Sequence, residues 1–110
     1  MGENVPRDPR IDYEEFKKAL IKEYPGNWNF HSLPGHRLWY EASLIIASFE
    51  FRIEWELQLG TPLVTWLIYH TDLVSEGMCE SIEDAVKQMR DSAFELSNQL
   101  RKFADGDNNE

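Results

Sequence analysis

The residues best suited to acid–base chemistry in this chain form a file of glutamates. Glu50, Glu54 and Glu56 alternate with apolar residues between Phe49 and Leu59, which places their side chains on one face of a strand at intervals of about 7 Å or more. Two carboxylates can act as general acid and base when they face each other across a cleft. Glutamates in one row on one face of a strand have instead the spacing of a solvated surface. We therefore expect no catalytic role for these glutamates.

Three histidines are the other candidates for base catalysis or metal binding. They are His31, His36 and His70, and none stands in an HxH, HxxxH or HExxH relation to another ligand. His70 ends an apolar run next to Thr71-Asp72, where a turn hydrogen bond is the expected role. We therefore predict no metal site and no enzymatic activity. The alternative is a small enzyme or ligand-binding domain that uses His70 or His36 in a pocket between sheet and helices.

The single cysteine excludes an intramolecular disulfide and the usual zinc spacings. No basic residue flanks Cys79, and Glu76 and Glu80 are expected to raise the pKa of its thiol. The two Pro-Gly pairs lack the companion glycines and lysine of a phosphate-binding loop, so we expect no cofactor. A reducing compartment follows, and with no signal or membrane-spanning pattern we predict a cytoplasmic protein.

The central strands are predicted from alternation and turn residues. Residues 49–59 alternate apolar and polar side chains, as in a half-buried strand. Gly60-Thr61-Pro62 then predicts a turn, residues 63–70 a strand that is apolar on both faces, and residues 73–79 a shorter strand. Residues 25–37 are compatible with a short strand or an ordered loop. For residues 37–48 strand and helix both stay open, and aromatic and β-branched content favours a strand.

Two helices flank these strands. Asp12 and Glu15 form a capping box for a helix over residues 12–24, which Pro25-Gly26 ends. Ser81 caps the last helix, whose apolar stripe advances by threes and fours for six turns and is expected to pack on the sheet. The predicted fold is α+β: an antiparallel β-meander of three to four strands packed on a long C-terminal helix, with a separate N-terminal helix. We expect a flexible N-terminus at 1–10, one domain at 11–104 and a disordered acidic tail at 105–110.

The negative charge of the chain lies almost entirely in its central part. Residues 41–84 contain nine acidic residues and one basic residue, Arg52, for a net charge of −8, out of −9 for the whole chain. This charge disfavours binding to nucleic acid or to anionic lipid and favours basic partners. Phe94 lies about 140° around the last helix from Met89, outside the apolar stripe. Phe94 is therefore either a contact point for a partner or a cover for part of the first helix or a loop.

The segment from Trp66 to Ala85, WLIYHTDLVSEGMCESIEDA, resembles the end of many small phage and mobile-element proteins of uncharacterised function. The resemblance covers residues 63–103 and rests on the order strand, turn, strand, Ser-capped helix. It transfers no functional residue. It implies a small accessory or inhibitory protein that works through protein contacts, in the cytoplasm of the host cell if phage-encoded.

The leading hypothesis is a non-enzymatic interaction protein. Its acidic sheet face would bind a basic partner protein, including a nucleic-acid-binding protein whose site it occupies as an inhibitor or nucleic-acid mimic. The predicted partner-binding residues are Glu41, Glu50, Glu54, Glu56 and Phe94. A homo-oligomer that pairs through a sheet edge or through Phe94 is a further possibility.

Overall fold

A computed structural model describes residues 11–32 and 39–106 of the chain. Along the chain, one helix precedes five strands and a second helix follows them. They are α1 (Tyr13–Glu23), β1 (Asn29–Ser32), β2 (Trp39–Ile46), β3 (Phe49–Gln58), β4 (Thr61–His70), β5 (Asp72–Cys79) and α2 (Ile82–Ala104). The predictions for residues 1–10 and for the tail lie outside the described residues, except that Asp105 caps α2 and Gly106 follows it.

The five strands form one antiparallel sheet in the order β1-β2-β3-β4-β5. Each strand therefore pairs with its neighbour in sequence, as a meander requires. This confirms the predicted α+β class, with one strand more than the predicted three to four. Residues 29–32 are the short strand left open against a loop, and residues 39–46 form a strand rather than a helix.

The alternation of β3 separates the two faces of the sheet. Ile53 and Trp55 point to the inner face and are buried, together with Val64, Trp66 and Ile68 of β4. Glu50, Arg52, Glu54 and Glu56 alternate with these residues on β3, lie on the outer face and are only partly exposed. Both helices pack on the inner face, because side chains of α1 and α2 belong to the same core as these strand residues. No described helix covers the outer face.

The first helix begins as its sequence predicts. The Asp12 carboxylate accepts from the backbone N–H of Glu15 at 2.8 Å, and the Glu15 carboxylate accepts from the N–H of Asp12 at 2.9 Å. Phe16 is fully buried, with its ring centre 5.5 Å from that of Tyr40 on β2. The Tyr40 hydroxyl donates to the carbonyl of Ile11 at 2.8 Å. A capping box, a ring pair and a hydrogen bond thus fix α1 on the sheet.

The last helix packs on the sheet over only its first half. Ser81 accepts from the backbone N–H of Asp84 at 3.1 Å and so caps α2. Its buried residues end at Met89, whereas Leu100 is 53% exposed and Phe103 is 86% exposed. The expectation that the whole six-turn stripe packs on the sheet is therefore wrong for the second half, because α2 continues past the end of the sheet beyond the level at which Ser92 contacts Ser75 of β5.

Candidate interaction surface

The outer face of the sheet brings together the four glutamates predicted from the sequence. We call Glu41, Glu50, Glu54 and Glu56, with Arg52 among them, the acidic face. Glu50, Arg52, Glu54 and Glu56 alternate along β3, and the register with β2 places Glu41 directly opposite Glu54. Strand alternation and one cross-strand pairing therefore assemble the surface.

Arg52 is the centre of this surface. Its guanidinium Nε lies 3.2 Å from Glu41 Oε2, Nη2 lies 2.9 Å from Glu50 Oε2, and Nη1 lies 3.7 Å from Glu54 Oε2. The guanidinium carbon also lies 5.0 Å from the ring centre of Tyr69 on β4, within range of a cation–π interaction. One cation is thus shared by three carboxylates, and negative charge remains in excess.

The carboxylates repel one another as well as attracting Arg52. Burial raises the pKa of Glu54 above its ordinary 4.5, and Glu41 raises it further, while Arg52 lowers it only in part. Like charges directly opposite each other on neighbouring strands are destabilising. Burial works to lower the pKa of Arg52, but the hydrogen bond to Glu50 and the nearby Glu41 raise it overall. The cluster therefore keeps its arginine charged and leaves Glu54 poorly compensated.

Glu56 and several apolar residues complete the outer face. The side-chain amide of Gln58 donates to Glu56 Oε2 at 2.7 Å. Trp39 on β2 and Leu63 on β4 are the cross-strand partners of Glu56. Half-exposed apolar side chains thus border the carboxylates, and they include Trp39, Leu63, Leu67 and Tyr69. The glutamates are also half-buried, rather than fully solvated as their spacing suggested.

Phe94 does not join the acidic face. It lies on α2, which packs on the inner face of the sheet, and it is 68% exposed. The alternative that Phe94 covers α1 is not what the structure shows, because so much of the ring faces solvent. The four predicted glutamates form one surface, and the predicted Phe94 belongs to another.

The histidines and the cysteine do not form a reaction centre in the described part of the chain. His70 stacks on Phe49 with ring centres 4.5 Å apart, His31 is exposed on β1, and His36 lies outside the described residues. Within residues 11–32 and 39–106, no three His, Cys, Asp or Glu side chains could hold a metal ion. The pKa of Cys79 is raised, as expected, but by burial and then by Asp84 rather than by Glu76 and Glu80.

An apolar groove lies between the helices and one end of the sheet. Its volume is about 280 Å³, and its lining includes Ile46 and Phe51 of the sheet with Met89, Arg90 and Ala93 of α2. None of its lining residues in the described part of the chain is a histidine. The groove gives the alternative hypothesis a pocket in the expected place, but without the histidine chemistry that the hypothesis required.

The comparisons with protein-family models, with curated proteins and with solved structures find no match for this chain. Neither described helix is long and apolar enough to cross a membrane. The resemblance to phage and mobile-element proteins therefore stays a prediction. The central place of Arg52 is the feature that sequence reasoning missed. Its signal was present, because Arg52 is the one basic residue among the nine acidic residues of 41–84.

Proposed function

We propose that this chain is a non-enzymatic interaction protein whose acidic face binds a basic surface of a partner protein. The observation that supports the proposal most directly is the shortage of positive charge around Arg52. Glu41, Glu50 and Glu54 all approach the one guanidinium, and Glu54 carries a raised pKa because of burial and Glu41. A cluster that costs stability by itself becomes favourable when a partner supplies further cations.

The bordering side chains would supply the contact energy. Trp, Tyr and Arg are the residues that most often dominate binding at protein interfaces, and half-exposed Trp39 and Tyr69 border the carboxylates here. Charge complementarity mainly accelerates association and selects partners, whereas apolar contacts slow dissociation. A lysine or arginine of the partner would approach Glu54, where the existing compensation is weakest.

The partner class follows from the sign of the face. A net negative surface repels phosphate backbones, so direct binding to nucleic acid is disfavoured. The same surface suits a groove that is itself built to bind phosphates with lysine and arginine. We therefore propose that the partner is a nucleic-acid-binding protein and that the chain occupies its binding site as an inhibitor or mimic.

The test is affinity capture from a lysate of the organism that encodes the chain, at about 50 mM and about 300 mM salt, because added salt screens surface charge. The wild type is compared with the triple variant Glu50→Gln, Glu54→Gln and Glu56→Gln. The matched control neutralises three exposed acidic residues elsewhere, Glu80→Gln, Asp91→Asn and Glu95→Gln. We expect the wild type and the control to retain the same basic protein at low salt, and the triple variant to lose it at least tenfold.

A competition experiment separates mimicry from simple charge pairing. Duplex DNA or RNA is added to the captured complex at constant salt. Release of the partner by nucleic acid supports occupation of its nucleic-acid site, whereas retention limits the proposal to a basic docking surface. Equal retention of the partner by the triple variant and the wild type would overturn the acidic face as the binding site.

A further inference from the structure

Seven apolar residues of α2 follow a seven-residue repeat. Successive members are spaced by four and three residues, which is the pattern of the core positions in a coiled coil. They are Ile82, Val86, Met89, Ala93, Leu96, Leu100 and Phe103. All of them lie on one stripe of the helix, so a single packing partner along its length would cover them all.

The sheet covers only the first half of this stripe. The Ser92 hydroxyl donates to Ser75 Oγ on β5 at 2.9 Å, and Ser75 lies in a cross-strand row with Ile68, Phe51 and Leu44. Only about two more residues of each strand follow that row before the turns. We call residues 93–104 the α2 tail. It runs about 18 Å past this level, and its apolar stripe is exposed to solvent there.

The groove described above lies at the point where the tail leaves the sheet. Its sheet side includes Ile46, the last residue of β2, and its helix side includes Met89 and Ala93. We call it the end groove. Its volume of about 280 Å³ is large enough for an aromatic side chain. The exposed stripe therefore continues directly into an apolar recess on the same face of α2.

We propose that the α2 tail and the end groove form a homodimer interface, in which two tails pair antiparallel and Phe103 of each copy enters the end groove of the other. In this register Ala93 lies opposite the partner's Phe103, and Leu96 lies opposite the partner's Leu100. The small side chain of Ala93 leaves room for the large ring. The second copy then takes the place beneath the tail that the sheet occupies beneath the first half of α2.

Charge favours this occupant and this orientation. Among residues 11–32 and 39–106, Arg90 is the one charged residue that lines the end groove. The antiparallel register brings Asp105 and the C-terminal carbonyl groups of the other helix, both negative, close to Arg90. The positions that flank the stripe in the tail are the uncharged Ser97, Gln99 and Ala104. Tail pairing thus adds an attraction and no repulsion along the seam.

The antiparallel orientation also separates the two acidic domains. The Met89 residues of the two copies would lie about 27 Å apart along the helix axis. That distance is roughly three times the screening length of about 8 Å at physiological salt, whereas a parallel pair would place the domains side by side. Two paired tails of twelve residues form a short interface compared with the area of about 1,000 Å² that specific association usually needs, so we expect dissociation in the micromolar range.

Sedimentation velocity over about 1 to 200 µM protein, a range around the expected dissociation constant, tests the interface. We expect the wild type to shift from monomer to dimer and Phe103→Ala to raise the dissociation constant at least tenfold. Phe94→Ala is the matched control, since Phe94 is an equally large exposed ring on the same helix but off the stripe; it should leave dimerisation unchanged. A wild type that stays monomeric throughout, or equal effects of the two variants, would overturn the proposal.

Cysteine cross-linking tests the orientation in a Cys79→Ser background. Antiparallel pairing brings the two Ser97 positions together beside the two-fold axis, whereas parallel pairing puts them on opposite sides of the seam. We expect Ser97→Cys to form a disulfide-linked dimer under mild oxidation, and Asn98→Cys, which points away from the seam, to remain monomeric. A disulfide with Leu96→Cys but not with Ser97→Cys would show a parallel pair and overturn the placement of Phe103 in the end groove.

Discussion

The two faces of β3 share one backbone but differ in the chemistry and the burial of their side chains. On the inner face, Ile53 is fully buried among aromatic and aliphatic side chains. One residue earlier, on the outer face, Arg52 is held among three carboxylates and remains partly open to water. Because successive residues of a strand point to opposite faces, one segment carries the core and the charged surface together. Substitutions on the outer face can therefore change the surface charge while the core side chains stay the same.

The inner face of the sheet stabilises the fold, whereas the outer face lowers its stability. Burial of apolar area is the dominant favourable term in folding, and the inner face provides it. The outer face places Glu41 opposite Glu54, a pairing that costs stability. Burial in the core must offset that cost. Substitutions on the two faces should therefore change the free energy of unfolding by different amounts, with different signs and a different dependence on pH.

The largest effect is expected at the centre of the inner face. Ile53→Ala removes three buried carbons from a site with no exposed surface and should lower the free energy of unfolding by about 3 to 4 kcal/mol. Leu67→Ala, on the half-exposed outer face of the neighbouring strand, is the control and should cost about 1 kcal/mol or less. Urea unfolding of both variants measures the difference. Similar losses would show that the outer face is also packed as a core.

A second test adds an atom to the inner face. A Cβ at Gly77 would lie 2.4 Å from Trp66 Nε1, and that indole nitrogen donates to the side chain of Gln88 at 3.1 Å. Alanine usually stabilises a strand relative to glycine, but here the ring must move. We expect Gly77→Ala to lower the free energy of unfolding by about 1 to 3 kcal/mol and to change the tryptophan fluorescence. A gain in stability would mean that the indole repacks without cost.

The third test removes the cation from the outer face. Arg52→Met keeps the apolar stem but leaves Glu41, Glu50 and Glu54 without their shared partner, so we expect a loss of about 1 to 2 kcal/mol at neutral pH. Arg52 lowers the pKa of Glu54 in the folded protein, so its removal raises that pKa further, and the folded state binds more protons than the unfolded state as the pH falls. The loss should therefore shrink on acidification towards about pH 5. A deficit that is constant with pH would assign the effect to lost packing instead.

The smallest effect is expected at Glu54, and its sign is the informative part. Because the folded pKa of Glu54 is raised above 4.5, its ionised form opposes folding, and stability decreases as the pH rises through the range just above 4.5. Glu54→Gln removes this term and should gain about 0.5 kcal/mol at neutral pH. Glu50→Gln, which weakens a 2.9 Å contact to Arg52, should lose a similar amount. Unfolding curves that show the same sign for both would contradict the unequal compensation of the two carboxylates.

Much of the fold could be predicted because the decisive signals are local. The alternation from Phe49 to Leu59 gave the central strand and its two faces, and the capping residues Asp12 and Ser81 gave the first turns of both helices. These patterns depend only on side chains within a few positions of each other. The α+β class and the outward direction of the glutamates followed from them.

The hairpin between β2 and β3 could not be read in the same way. Its turn consists of Ala47 and Ser48, with φ values of 52° and 71°, in a region that usually selects Gly or Asn. Without that signal, residues 37–48 remained open between strand and helix. The pairing of Glu41 with Glu54 depends on this turn, so the shared coordination of Arg52 could not be predicted either.

The part of α2 that the sheet buries could not be predicted from the sequence either. Periodicity identifies which residues share a stripe but not what packs against each part of it. Met89 and Phe103 lie two seven-residue repeats apart and have equivalent places in the repeat, yet one is buried by the sheet and the other is exposed. The difference depends on strand length and on where α2 crosses the sheet, which are tertiary properties.

The strand order has a consequence for how the chain folds. Since every strand pairs with the one beside it in sequence, each hairpin can close over a short loop, and little chain entropy is lost at each step. Such local pairings favour folding at the faster end for β-rich domains. The contacts between residues farthest apart in the sequence form when α2 packs on the strands and on α1, which were synthesised earlier. A nascent chain can therefore extend its sheet strand by strand during translation and gain its cooperative stability only when the last helix leaves the ribosome.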